Sequence, residues 1–241
     1  MKTAIITGSN RGIGRAIAQR LARDGMNVVL CARDEALLNA TAKEIGANAA
    51  TVPIDLRLPD SAAKVVDAAV ARFGTLDVIV NNAGATKRGD FETLTDDDFI
   101  DGFALKYFSA VRMTRAAWPH LKKQRGAVVN IVGAGGRTPG AMFAIGGSVN
   151  AAVLSFTKAI SEKGIHDGVQ VNAINPGPVR TARLAAQLKD SPEEVFLKEH
   201  RIARIGEPED IAALVAFVLS PHGRLLQGSL IDADGGSTKT I

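Results

Sequence analysis

Seven short apolar runs recur along the chain, at 2–7, 27–31, 50–54, 77–81, 126–132, 169–175 and 229–232. They are near-continuous rather than alternating, which implies strands buried on both faces. Each is separated from the next by a stretch with helical spacing. Segment 12–24 carries Ile13, Ile17, Ala18 and Leu21 on one face. Glu35–Ile45 reads as a helix, and Asp60 or Ser61 caps another that runs to about Phe73. Thr95 caps a long helix at about 96–122 with Pro119 near its end, a further helix falls within 148–166, and Pro208–Leu219 precedes the last strand. Strand and helix in regular alternation predict a parallel sheet wrapped on both faces by helices. We therefore expect an α/β fold: one domain over residues 1–241, with a parallel sheet and helices on both of its faces. Only segment 181–205 lacks a clear period. It reads as two short helical pieces around Ser191-Pro192 and is expected to form a lid or substrate loop.

Apolar residues make up 46% of the 241 and charged residues 22%, enough apolar surface for a sizeable core and too much for disorder as the main state. No window holds ~18 consecutive apolar residues, and the N-terminus lacks the apolar stretch of a secretory signal, so the cytoplasm is the expected location. The single cysteine, Cys31, forms no internal disulfide and reads as a buried small apolar residue. The net charge of +4 is scattered without a Lys/Arg run, so neither nucleic acid nor a membrane surface is expected as a partner. No His/Cys/Asp cluster has ligand spacing, and no metal is expected.

Between the first strand and the first helix lies Thr7-Gly8-Ser9-Asn10-Arg11-Gly12-Ile13-Gly14. Glycines there let backbone N–H groups approach a pyrophosphate, and the helix N-terminus adds partial positive charge. In a dinucleotide-binding fold an acid at the tip of the second strand would bond the ribose 2′-hydroxyl. Here the strand ends Cys31-Ala32-Arg33, while Asp34 and Glu35 read as the cap and first turn of the next helix. Arg33 and Arg11 suit a 2′-phosphate, so NADP(H) is expected over NAD(H).

Further motifs follow in order: Asp55-Leu56 after the third strand, Asn81-Asn82-Ala83-Gly84 after the fourth, Asn175-Pro176-Gly177-Pro178-Val179 after the sixth, and Asp234-Gly235-Gly236 near the C-terminus. With Thr7-Gly8-(x)3-Gly12-Ile13-Gly14 this set resembles the short-chain dehydrogenase/reductase family over essentially the whole chain. The resemblance implies a single Rossmann-type doubly wound domain with a seven-stranded parallel sheet and helices on both faces, and an oxidoreductase with a nicotinamide dinucleotide. It implies that Asp55 bonds the adenine edge, with Leu56 beside it. Asn82, Ala83 and Gly84 would line the adenine-ribose side, and Pro176, Gly177 and Val179 would meet the nicotinamide. It also implies a homotetramer or homodimer built on helices 96–122 and 148–166.

The resemblance breaks at the chemistry. The family uses Asn, Ser, Tyr and Lys, the last two as Tyr-x-x-x-Lys. The only tyrosine here is Tyr107, with Val111 four residues on. Anchored on Ser155-Phe156-Thr157-Lys158, the Tyr position falls on Gly146 and the Lys position on Asn150, a candidate to bond the ribose. The Ser position falls on Gly133 and the Asn position on Ala104. No catalytic residue is thereby identified, and the active site is expected to be atypical. Losing a positioned acid costs ~10²–10⁴ in rate. Replacing Tyr by Gly should widen the cleft unless Phe143, Met142 or Tyr107 fills it. Tyr107 is a candidate substitute acid or an interhelical packing residue. Ser148 is a candidate helix cap or substrate contact. Arg137 either binds an acidic substrate or sits on the surface. Three readings stand: a divergent NADP(H)-dependent oxidoreductase, a non-catalytic nucleotide-binding sensor or partner subunit, and a non-redox reaction in the widened cleft.

Overall fold

The computed structural model describes residues 1–188 and 192–239. Seven strands form one sheet: β1 Thr3–Thr7, β2 Asn27–Ala32, β3 Ala49–Pro53, β4 Val78–Asn81, β5 Ala127–Ile131, β6 Gln170–Pro176 and β7 Leu230–Ala233. Their order is β3-β2-β1-β4-β5-β6-β7 and every pairing is parallel. The expected doubly wound sheet is therefore present. Its order reverses between β1 and β4, and a crevice opens there at the carboxyl ends of the strands.

The helices are α1 Gly12–Arg23, α2 Glu35–Ile45, α3 Ser61–Phe73, α4 Asp96–Gly102, α5 Ser109–Gln124, α6 Ala144–Asp167, α7 Ala182–Gln187, α8 Glu193–His200 and α9 Pro208–Leu219. Side chains on a strand point alternately to the two faces, so neighbours in β1 serve different cores. Ile6 packs with Ile17, Leu21, Leu38 and Val215 on the α1/α9 face. Ile5 packs with Val65, Met113 and Leu121 on the α3/α5 face. Both isoleucines are fully buried.

The caps expected at Asp34 and Thr95 form. Asp34 Oδ1 accepts the Leu37 N–H at 3.0 Å, and Thr95 and Asp98 close a reciprocal capping box. Asp60 precedes α3 without a side-chain cap bond. The long helix expected at 96–122 departs from expectation in its middle. Phe103–Phe108 is a π-helical turn joining α4 to α5. Helix α6 begins at Ala144, four residues ahead of the expected start. The segment Ala141–Asp167 is long and apolar enough to cross a membrane by composition. Ten α6 residues between Ile145 and Gly164 are buried in the fold, whose nearest strand is β6.

A buried polar chain ties these helices to the sheet. Asn81 Nδ2 donates to Asn130 Oδ1 (2.9 Å) and to Thr114 Oγ1 (3.2 Å). Asn130 Nδ2 donates in turn to Thr157 Oγ1 at 2.9 Å. The chain runs from β4 and β5 to α5 and α6, and fixes the two helices that flank the crevice. Helices α7 and α8 are the two pieces expected in segment 181–205, and Ser191 between them lies outside the described residues. Arg180 anchors this segment by ion pairs to Glu193 (3.0 Å) and Glu207 (2.9 Å).

Candidate active site

A cleft of about 1020 Å³ runs along the carboxyl ends of the strands, from Ala32 and Arg33 past the β1–α1 turn to Gly133, Phe143 and the α7–α8 segment. That is the upper end of the range for small-molecule sites, ~300–1,000 Å³.

The β1–α1 turn is built for close approach. Gly8 holds φ +67° and Gly12 φ +54°. A Cβ on Gly14 would lie 2.3 Å from the Gly8 carbonyl oxygen and 2.5 Å from Asn82 Nδ2, so no larger residue fits. Asn82 holds the turn by donating from Nδ2 to the carbonyls of Thr7 (2.9 Å) and Gly8 (3.2 Å). Thr7 Oγ1 accepts the N–H groups of both Asn82 and Ala83 at 2.9 Å. The residue at the α1 N-cap, Arg11, supplies no side-chain cap bond. The first N–H groups of α1 are thus left for an anion at the cleft. This cradle fits the pyrophosphate of a dinucleotide.

Most residues expected at the cofactor site line this cleft: Gly8, Asn10, Arg11, Gly12, Ile13, Gly14, Arg33, Asp55, Leu56, Asn82, Ala83, Gly84, Asn150, Pro176, Gly177 and Val179. Ser9 does not. It is fully buried, and its Oγ accepts the Cys31 N–H at 3.1 Å, propping the end of β2. Cys31 is buried beside it, and burial pushes its thiol up to about 12. Asp55 Oδ1 accepts the Arg57 N–H (3.0 Å), and its Oδ2 lies 4.0 Å from Arg33 Nη1.

The far end of the cleft differs from expectation. Gly133 has φ +136°, a conformation that residues with a side chain rarely adopt. A Cβ there would meet Asn150 Nδ2 at 3.1 Å. A Cβ on Gly146 would come within 2.0 Å of Phe143 Cε2 and Cζ, so that ring occupies the space beside Gly146. The cleft is not simply widened: Phe143 fills it, with the Arg88 guanidinium 4.0 Å above the ring centroid. Met142 points away and is exposed.

Ala104 is not among the lining residues, whereas Lys106 is. The π turn explains the difference. Both residues lie inside this turn, whose wider winding a plain α-helical reading does not anticipate. Lys106 Nζ donates to the Val132 carbonyl, and its stem packs against Gly84, where a Cβ would sit 2.8 Å from Lys106 Cδ. Burial, aided by Arg183, pulls the Lys106 ammonium down to about 7. Arg183 Nη2 donates to the Gly84 carbonyl at 3.0 Å. Burial and the neighbouring Arg11 lower its proton affinity too, and Arg183 contributes to the same effect at Arg88.

Three other candidates lie elsewhere. Tyr107 packs among Phe103, Phe108 and Phe156, with centroids 5.3 to 6.2 Å apart, and does not line the cleft; the next-door position on the π turn turns it outward. Ser148 is exposed and donates to the Ala144 carbonyl at 2.9 Å; the N-cap of α6 is Phe143. Arg137 pairs with Asp232 of β7 at 3.2 Å instead of facing the cleft. Lys106, Arg88 and Arg183 were not singled out by sequence. His200, which stacks on Phe196 at 3.9 Å, also lines the cleft.

A doubly wound sheet with a glycine cradle at its switch point defines a protein of the dinucleotide-binding class. A family profile described as enoyl-(acyl carrier protein) reductase matches residues 8–238. The chain belongs to the short-chain dehydrogenase/reductase family and has the architecture of its oxidoreductases. An uncharacterized oxidoreductase of Mycobacterium tuberculosis is 35% identical over 98% of this chain and 92% of its own. L-Sorbose reductase from Gluconobacter frateurii, solved with NADPH and L-sorbose, superposes with a TM-score of 0.94 at 30% identity, covering 100% of this chain and 97% of that one. A 3-ketoacyl-(acyl-carrier-protein) reductase from Brucella melitensis, solved with NADH, gives 0.91 at 30% identity over 98% of both chains.

Proposed function

We propose that the protein is an NADP(H)-dependent oxidoreductase that acts on a carbonyl or alcohol without a tyrosine–lysine proton relay. The observation that carries this is the pairing of an intact dinucleotide cradle with a reacting end where Phe143 stands beside Gly146 and a lysine, Lys106, offers the titratable group. When bound, the nicotinamide supplies or accepts the hydride.

The residues of this chain do the rest. The α1 N-terminus and the Gly8–Gly14 turn hold the pyrophosphate. Arg33, at the tip of β2, reads the 2′-phosphate, since Asp34 is spent on capping α2 and does not compete for it. Arg11 assists from the turn. Asn150, buried at 3% exposure, faces the ribose from α6. Lys106 Nζ–H donates a proton to the substrate oxygen in reduction and takes it back in oxidation, and a group that titrates near neutrality suits both directions. Helices α7 and α8, part of the lid expected at 181–205, lend Leu184 and Phe196 to the wall of the cleft that holds the substrate.

The proposal extends to a cytoplasmic location and to a homodimer or homotetramer built on α4–α5 and α6, where Ile100 of α4 and Phe108 of the π turn are exposed. Sedimentation of the purified protein tests the assembly.

Calorimetric titration with NADPH and then NADH, followed by a carbonyl screen, tests the function. Micromolar binding with NADPH preferred, and turnover of at least one carbonyl, is the expected result. Binding of neither nucleotide by folded protein overturns the proposal. Binding without turnover of any carbonyl or alcohol leaves a nucleotide-binding sensor as the function.

A further inference from the structure

The reacting end of the cleft holds three cations and no acid to balance them. Lys106 and Arg183 meet at Gly84, one through its stem and the other through its hydrogen bond to the carbonyl. Arg88 lies over Phe143 on the facing wall. Among the described residues none of the three forms an ion pair with a carboxylate. The acids that line the cleft, Asp34 and Asp55, sit at its other end with Arg33. Cations drawn from water into a wall without partners cost free energy, and like charges side by side cost more. The lowered proton affinity of all three expresses that cost. A bound anion would reverse it.

We propose that Arg88, Lys106 and Arg183 form an anion subsite and that the substrate is a small oxo acid, or the corresponding hydroxy acid, whose carboxylate they hold. This rests on the oxidoreductase reading above and names the substrate class of that same site. Arg88 Cζ stands 4.0 Å from the centroid of the Phe143 ring, a contact that holds the guanidinium at the cleft. Arg183 spends one nitrogen on Gly84 and keeps the rest of its fork. Lys106 lies between the carboxylate and the reacting carbonyl oxygen, where it neutralises charge as the alkoxide forms. The balance is simple: hydride to the carbonyl carbon, proton from Lys106 Nζ to the oxygen, and a proton from solvent to restore the lysine. The carboxylate is not altered. Leu105, Leu184 and Phe196 supply an apolar wall for the remainder of the acid.

The test is calorimetric titration of the NADPH-saturated protein with short-chain 2-oxo and 3-oxo acids and with their methyl esters. Free protein and inorganic phosphate are run alongside. At least one acid should bind about 30-fold or more tightly than its ester, the range for a buried charge pair, and more weakly as salt rises. Arg88→Gln and Arg183→Gln should each abolish that preference, and Arg183→Lys should restore part of it. Arg88 makes no main-chain bond that its variant would lose, so it serves if Arg183→Gln fails to fold. Esters that bind as well as acids, or no acid binding to protein that holds NADPH, overturn the subsite and leave the oxidoreductase reading intact. Arginine variants that weaken NADPH but leave the acid preference unchanged also overturn it, because the cations would then serve the dinucleotide. Phosphate bound more tightly than every acid overturns the carboxylate assignment. Acid binding with arginine dependence in protein that binds no nucleotide upholds the subsite and defeats the cofactor reading.

Discussion

The ring of Phe143 occupies the space into which any side chain on Gly146 would grow, with 2.0 Å between a Cβ there and Phe143 Cε2. One turn of α6 is thereby committed to an aromatic wall. Arg88 sits on the other face of that wall and connects it to the charged end of the cleft.

Replacing Gly146 by Ala should lower stability, although Gly→Ala inside a helix ordinarily raises it by ~0.5–1 kcal/mol. Overpacking against the ring costs about 1–3 kcal/mol. In a Phe143→Ala background the same substitution should become stabilising. Urea unfolding of the four proteins in this double-mutant cycle checks it.

Gly133→Ser should destabilise by roughly 1–3 kcal/mol, because φ +136° is hard for a residue with a Cβ, and Asn150 crowds the position. It should also fail to raise turnover, since the backbone and not the hydroxyl is at fault. Thermal unfolding and steady-state rates measured together separate the two effects.

Lys106 sets a pH dependence. Its folded value of about 7 lies below the ordinary 10.5, so between these values the unfolded chain binds more protons than the folded one. Stability should therefore rise with pH across that window, and the burden of burying the charge is fully present below about 7. Arg183 is the charged neighbour that contributes to the shift. Lys106→Met should flatten the rise. In kcat/KM, which reports the enzyme before substrate binds, reduction needs the ammonium and should fall above about 7, while oxidation should increase over the same range. The variant should lose ~10²–10⁴ in turnover and its pH inflection with it.

Arg33→Ala should weaken NADPH by roughly 10–100-fold, the worth of a charge-assisted hydrogen bond, and leave NADH nearly unchanged. Competitive titration with the two nucleotides reads this directly. Equal losses for both would assign Arg33 to the adenine and not to the 2′-phosphate.

The sheet, the glycine turn and most of the residues that line the cleft were legible because they depend on local signals: buried runs, glycines at a strand end, an Asp free to cap α2. Ser9 was misjudged because a hydroxyl in a phosphate turn looks the same whether it faces the ligand or the neighbouring strand. Only its bond to the Cys31 N–H shows which. Arg137 hides its ion pair from the sequence for a related reason. Its partner Asp232 lies 95 residues away in sequence and becomes a neighbour only through the sheet. The three cations share this long-range origin. Arg88, Lys106 and Arg183 come from three separate segments, and no spacing rule connects them.

The turn at Phe103–Phe108 works as a frame shift within a helix. A residue added to an α-helical path rotates everything beyond it by about 100°, the angle set by 3.6 residues per turn. Deleting one of Phe103, Ala104 and Leu105, which precede Lys106 in the turn, would rotate Lys106 by about that angle relative to α4 and carry it out of the cleft. The cation at the reacting end is thus specified by the number of residues in a turn as much as by the identity of any one of them.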